Sequence, residues 1–136
     1  VICLSQKLYE NLLDYAIACV PYECCGYLLG QHDSLKCLNQ VTQICKIPNI
    51  HTDPKHFFWL APDGQLEALK EAKSQGLEII GIFHSHPTSP AYPSQEDLKY
   101  IYDSRQSYCI ISLTPNPYMA SFRIEGKKIY RENIKF

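Results

Sequence analysis

Three prolines at every third position, Pro87, Pro90 and Pro93, separate a pair of histidines from a serine-led acidic segment, and no other feature constrains this chain as tightly. Proline fixes φ, removes a backbone donor and turns the residue before it away from helix, so residues 87–93 read as a stiff extended connector. Before it, the apolar run from Leu77 to about His84 reads as a strand that ends at His84-Ser85-His86. After it, Ser94-Gln95-Glu96-Asp97 reads as the start of a helix whose faces would carry Leu98, Ile101 and Tyr102 at helical spacing. Residues two apart on a strand share a face, so the His84 and His86 rings converge while Ser85 points the other way. Asp97 can join them, because the connector spans at most about 3.3 to 3.6 Å per residue and is stiff enough to return the chain to a fixed place. Two imidazoles and one carboxylate suit Zn²⁺ with a fourth position left open, as in catalytic rather than structural sites. A hydrolase is the first hypothesis.

Each part also has a plainer reading. Ser94-x-x-Asp97 is a helix N-terminal capping pattern, with the acid at the positive end of the helix dipole. A lone His-x-His on a strand can simply be packed or solvated, and prolines at this spacing resemble a polyproline recognition segment. The conjunction of the three favours the metal.

At 136 residues the chain fits one domain able to bury a core without disulfides. A net charge of -1 gives no reason to expect nucleic acid or an anionic membrane as partner. Its apolar runs are too short to span a bilayer, and Lys7, Glu10 and Asp14 interrupt any retained signal peptide. The seven cysteines (3, 19, 24, 25, 37, 45 and 109) contain no C-x-x-C pair, so reduced thiols in a cytoplasmic protein are expected, most of them buried as small hydrophobes.

Ser5 is the expected N-cap of a first helix that carries Leu8, Leu12, Tyr15, Ala16 and Cys19 and stops before Pro21. Strands are expected at Gly26 to Gly30 and Cys37 to Ile47, and a second helix from Pro62 to a glycine cap at Gly76. Residues 49–60 read as a loop with an extended end at Phe57 to Leu60; His51 and His56 either line an approach to the site or sit in solvent. Further strands are expected at Tyr108 to Leu113, Met119 to Ile124 and Lys128 to Glu132. This alternation gives an α/β or α+β sandwich around one mixed sheet.

A metal-assisted hydrolysis also needs a group to take and return a proton. Glu23, between Pro21 and Cys24-Cys25-Gly26 at the start of a short apolar strand, is the leading candidate; its plainer reading is a solvent-exposed loop glutamate.

Glu23, then His84-Ser85-His86, seven residues from Pro87 through Pro93, then Ser94-x-x-Asp97, resembles the signature of the JAMM (MPN-plus) metallopeptidase family at every position. Pro-x-Glu-x-Cys-Gly at 21–26, Ile80-Gly81-Ile82-Phe83 and Tyr108 to Leu113 are similar to family segments too. The resemblance implies a cytidine-deaminase-like α/β/α sandwich around one mixed β-sheet, over residues 1–136. It further implies Zn²⁺ held by His84, His86 and Asp97 with a water in the fourth position. Glu23 would be the general acid/base and Ser94 would hydrogen-bond the tetrahedral intermediate. By the same resemblance the substrate is a small ubiquitin-like β-grasp protein with a C-terminal Gly-Gly tail, lying along a sheet edge or groove. The compact chain is similar to enzymes that release a cysteine adduct from a sulfur-carrier protein. Two other classes stay open: a non-catalytic scaffold of the same fold, and a cysteine hydrolase using Cys24 or Cys25.

Overall fold

The computed structural model describes residues 1–100 and 103–136. Helix α1 (Gln6–Cys19) begins where Ser5, in extended conformation, accepts a hydrogen bond from the Leu8 N–H at 3.1 Å. It buries Leu12 and Ala16 on one face, and Pro21 stands just past its end. Helix α2 (Pro62–Ser74) has proline at its first position, Asp63 in its first turn and Lys73 in its last, each suited to the helix dipole. Gly76 follows in the left-handed region, with φ of 65°.

Eight strands form one sheet: β1 (Ile2–Cys3), β2 (Cys25–Asp33), β3 (Leu38–Ile47), β4 (Glu78–His86), β5 (Ser107–Ser112), β6 (Tyr118–Glu125), β7 (Lys128–Glu132) and β8 (Ile134–Lys135). Their order across the sheet is β7-β6-β5-β4-β2-β3-β1-β8. The pairs β1·β3, β1·β8 and β4·β5 are parallel and the others antiparallel, so the sheet is mixed. Strand β4 is central and buried along nearly its whole length, which is why it reads as a continuous apolar run.

The two faces carry different cores. On one, Leu12 and Ala16 of α1 pack with Leu28, Phe83, Cys109 and Ile111. On the other, Ala68 of α2 packs with Cys25, Ile47, Phe58 and Leu60. Ile82, Ile110 and Phe122 form a third cluster, covered by Ala91 and Leu98 of the connector and the segment after it. One helix on each side of the sheet is the expected α/β/α layering.

Local expectations differ in four places. Strand β3 begins at Leu38, because Asp33 Oδ1 accepts from the Leu35 and Lys36 N–H groups and turns the chain. Cys37 therefore sits exposed in that turn with φ of 48°, rather than buried. Strand β2 runs past Gly30 to Asp33, held by β3 along its length. The short β1 pairs with both β3 and the equally short β8, contacts that no local pattern announces. After Ser94 the described residues form a 3₁₀ turn, Asp97–Tyr100, and the expected helical positions Ile101 and Tyr102 lie outside the described residues. Among the described residues no helix is long and apolar enough to cross a membrane.

Candidate metal centre

Ile82, His84 and His86 alternate onto the α2 face of β4, while Phe83 and Ser85 point toward α1. The two Nε2 atoms come to 3.0 Å of each other, and Asp97 Oδ2 lies 3.1 Å from each. His84, His86 and Asp97 are the group of potential metal ligands found among the described residues. Two ligands at a tetrahedral angle on bonds of 2.0 to 2.1 Å stand about 3.3 Å apart, so this near-equilateral triangle fits a single Zn²⁺.

Each ligand is oriented from behind. His86 Nδ1 lies 2.8 Å from the Pro90 carbonyl; a carbonyl only accepts, so Nδ1 carries the hydrogen and Nε2 presents a lone pair. His84 is stacked on Phe58, with ring centroids 4.4 Å apart. Asp97 and Ser94 cap each other: the Ser94 N–H donates to Asp97 Oδ2 at 2.7 Å and the Asp97 N–H donates to Ser94 Oγ at 3.2 Å. The capping reading and the ligand reading of Ser94-x-x-Asp97 thus describe one arrangement. Ser94 itself is exposed, and its hydroxyl hydrogen is free to point outward while Oγ accepts.

Charges in the cluster are tightly coupled. Burial favours neutral His84 and holds its pKa below the usual value, against the pull of Asp97. For His86 burial acts the same way, but the Asp97 carboxylate and the Pro90 carbonyl prevail and raise it. Burial disfavours the Asp97 anion, yet both imidazoles and the Ser94 N–H outweigh it and keep the carboxyl well below its ordinary range. Ionised Asp97 and neutral His84 are in the states a cation needs, and a metal at His86 would displace the proton that its raised pKa favours.

Glu23 comes to this group through strand pairing. Cys25 pairs with His84 across β2 and β4, so two residues earlier on the antiparallel strand lies the level of His86. Glu23 is 6% exposed, and its Oε1 is buried with no hydrogen-bond partner. Burial pushes its pKa up to about 8, with His86 opposing and Asp97 and Asp53 adding to the rise. A buried carboxyl oxygen without a partner is costly, and it persists most readily where a proton or ligand is to be met.

Three residues that sequence reasoning passed over hold the arrangement. Ser85 Oγ, on the face away from the histidines, accepts from the Cys24 N–H at 2.8 Å and fastens the residue after Glu23. Asn49 Nδ2 donates to the Glu23 carbonyl at 3.0 Å. Phe58 backs His84. The alternation of β4 announced the direction of Ser85, but its partner is sixty-one residues away, and nothing local marks such a bond.

Other candidates fall outside the group. His51 Nδ1 accepts from the Asp53 N–H at 2.9 Å, and exposed His56 pairs with Asp53 at 3.1 Å; both order the 49–60 loop. Cys24 and Cys25 are buried, with burial pushing the Cys24 thiol up to about 12 and Cys25 higher still. Cys25 Sγ donates to the Ile47 carbonyl. Neither thiol is an activated nucleophile, which removes the chemical basis of a cysteine hydrolase.

Known proteins share this architecture. The chain is 36% identical to a protein of Desulfitobacterium hafniense whose solution structure matches with a TM-score of 0.85, covering 98% of this chain and 91% of that one. A JAB1/MPN domain protein of Archaeoglobus fulgidus, at 18% identity, shares the fold with a TM-score of 0.59 over 98% and 94% of the two chains. In sequence, the chain is 30% identical to a probable TtuB-protein conjugate cleaving protease of Thermus thermophilus over 73% of its length, and 39% identical to a desampylase of Pyrococcus furiosus over 57%. It spans 62% and 50% of the length of those two relatives. A CysO-cysteine peptidase of Mycobacterium tuberculosis is 25% identical, with 98% of this chain and 90% of that protein covered. Residues 5–125 match the family described as prokaryotic homologs of the JAB domain, and with the fold and the buried His84, His86 and Asp97 at its centre the chain belongs to that JAB family.

Proposed function

We propose that the chain is a zinc-dependent hydrolase that cleaves the bond after the C-terminal glycine of a small ubiquitin-like or sulfur-carrier protein. The observation that carries this reading is the buried Oε1 of Glu23, without a hydrogen-bond partner among the described residues, together with three convergent candidate metal donors. His84, His86 and Asp97 would hold the zinc, which when bound would supply a Lewis acid able to lower the pKa of a water to about 7. Glu23 takes the proton of the attacking water and returns it to the leaving amine; a carboxyl whose pKa burial has raised holds that proton more readily than an exposed one. The Ser94 hydroxyl donates to the oxygen on which negative charge develops, while its own Oγ is steadied by the Asp97 N–H.

The names of the relatives, a probable protein-conjugate cleaving protease, a desampylase and a CysO-cysteine peptidase, support a protein tail as substrate. A groove suits that tail better than a sheet edge. The edge strands β7 and β8 lie three and four strands from β4, at about 4.8 Å per strand, too far to bring a paired tail to the histidines. Phe58, His84, Pro93 and Asp97 line a cavity at the metal donors themselves. All seven cysteines are free, which fits a cytoplasmic setting. A non-catalytic scaffold has no use for an unsatisfied buried carboxyl.

The test is to incubate the zinc-loaded protein with ubiquitin-like proteins ending in Gly-Gly and extended by cysteine or by a short peptide, and to weigh the products by mass spectrometry. Cleavage after the last glycine, lost on chelation and lost in Glu23→Gln with zinc still bound, is the expected result. Turnover that survives Glu23→Gln would refute the mechanism, and stoichiometric zinc without cleavage of any adduct would refute the substrate class.

A further inference from the structure

Asn49 uses its whole side-chain amide on backbone. Nδ2 donates to the carbonyls of Glu23 and Phe57, at 3.0 Å each, and Oδ1 accepts from the N–H groups of His51 at 3.1 Å and Trp59 at 3.0 Å. A carboxamide has two N–H groups and two lone pairs, so its capacity is filled. These bonds close residues 49–60 into a loop. Asn49 and Leu60 form an antiparallel bridge, the Ile50 N–H donates to the Trp59 carbonyl, and the Ala61 N–H donates to that of Pro48.

The same loop grips Glu23 at both of its peptide groups. The Glu23 N–H donates to the Pro54 carbonyl at 2.7 Å, and its carbonyl accepts from Asn49. At the carboxyl end, Oε1 has no hydrogen-bond partner among the described residues. The direction of the Glu23 side chain is therefore set by its backbone, and the backbone is set by the loop. Phe58, inside that loop, also stacks on His84. One closed loop thus buttresses the proposed base and a metal ligand together.

We propose that Asn49 is a positioning residue for the reaction: by closing the 49–60 loop and anchoring the Glu23 carbonyl, it aims the Glu23 carboxyl at the metal centre. This rests on the reading of Glu23 as the base. A displaced base loses rate without losing substrate affinity, and a misplacement of about 1 Å can cost as much as a hundredfold.

Asn49→Ala, Asn49→Asp and Glu23→Gln, each zinc-loaded, test the proposal. The readouts are zinc stoichiometry, circular dichroism, steady-state kinetics on the cysteine-extended carrier adduct, and fluorescence anisotropy of Trp59, the only tryptophan in the chain. Asn49→Ala is expected to bind zinc as the wild type does, to lose at least about tenfold in kcat with KM within about twofold, and to show lower Trp59 anisotropy as the loop loosens. Asn49→Asp keeps both acceptor positions, including that for the Trp59 N–H, but loses the donors to Glu23 and Phe57, so its Trp59 anisotropy falls less than that of Asn49→Ala while kcat falls as far. That split is one a merely structural role would not produce. Folded Asn49 variants that turn over within about twofold of wild type, while Glu23→Gln is inactive, overturn the inference alone. A rate loss matched by lost zinc or unfolding in both variants overturns it too, in favour of a structural role. An active Glu23→Gln, or a wild type that cleaves no adduct, strikes instead at the functional reading; the Trp59 comparison would still show whether Asn49 closes the loop.

Discussion

Glu23→Gln should make the metal-free protein more stable near neutral pH even as it removes the proposed base. Burial raises the Glu23 pKa from an ordinary value of 4.5 to about 8. Below pH 4.5 the carboxyl is neutral in both folded and unfolded chains and carries no penalty. Between the two values the unfolded chain has released its proton and the folded chain has not, so stability falls as pH rises, by about 1.4 kcal/mol per pH unit. From pH 4.5 to pH 7 the accumulated loss is about 3 kcal/mol, and glutamine, which does not titrate, escapes it. For 136 residues an unfolding entropy of about 2.1 cal/mol/K per residue converts this to a melting-temperature gain of about 10 °C for the variant at pH 7, against about 2 °C at pH 5. The assay is thermal unfolding of chelator-treated wild type and variant across that range. Any pH-independent difference between the buried amide and the neutral carboxyl cancels in the comparison. A difference in melting temperature that stays constant from pH 5 to pH 8 would show that the carboxyl is not held in a desolvated place, and the reasoning about Glu23 would fail.

Ser85→Ala should cost about 1 to 3 kcal/mol, because it leaves the buried Cys24 N–H without its acceptor, and Ser85→Thr should recover most of that in denaturant titrations. Asp97→Ala removes the only carboxylate of the triad and leaves the Ser94 N–H unpaired, so isothermal titration should show zinc affinity lowered by at least about a hundredfold; unchanged affinity would mean that the ion binds elsewhere. Gly26→Ala should prevent folding or lower the melting temperature steeply, since its Cβ would collide with the Cys45 carbonyl and lie 2.6 Å from the Phe83 ring. Iodoacetamide should alkylate exposed Cys37 first, as read by peptide mass mapping, and leave hydrolysis intact; inactivation tracking Cys24 or Cys25 would restore a role for those thiols.

The elements that could be read from sequence are those with local causes. Ser5 before an apolar period of three to four residues, Pro62 opening α2 and Gly76 closing it all act within a few residues of themselves. Elements that sequence reasoning misplaced depend on partners far away. Cys37 looked apolar by its neighbours, yet Asp33 folds the turn that exposes it. The two-residue β1 exists because β3 and β8 flank it, and two residues carry no period. Residues 49–60 read as loop because they are one; that Asn49 ties them to Glu23, twenty-six residues back, has no sequence signature.

The order of residues from 84 to 97 was enough to choose the candidate metal donors, which the fold brings together. A strand's period of two puts His84 and His86 on one face, three prolines stiffen the connector, and the Ser94–Asp97 cap is a local hydrogen-bonding pattern, so these donors could be named before any fold was known. What surrounds them was decided only in three dimensions. Glu23 reaches the level of His86 because β2 pairs antiparallel with β4, and it is buried and unpartnered because Asn49, Pro54 and Ser85 fix the backbone on either side of it. Strand pairing across sixty residues is selected by which apolar faces can be buried together, a property of the whole core rather than of any short stretch of chain.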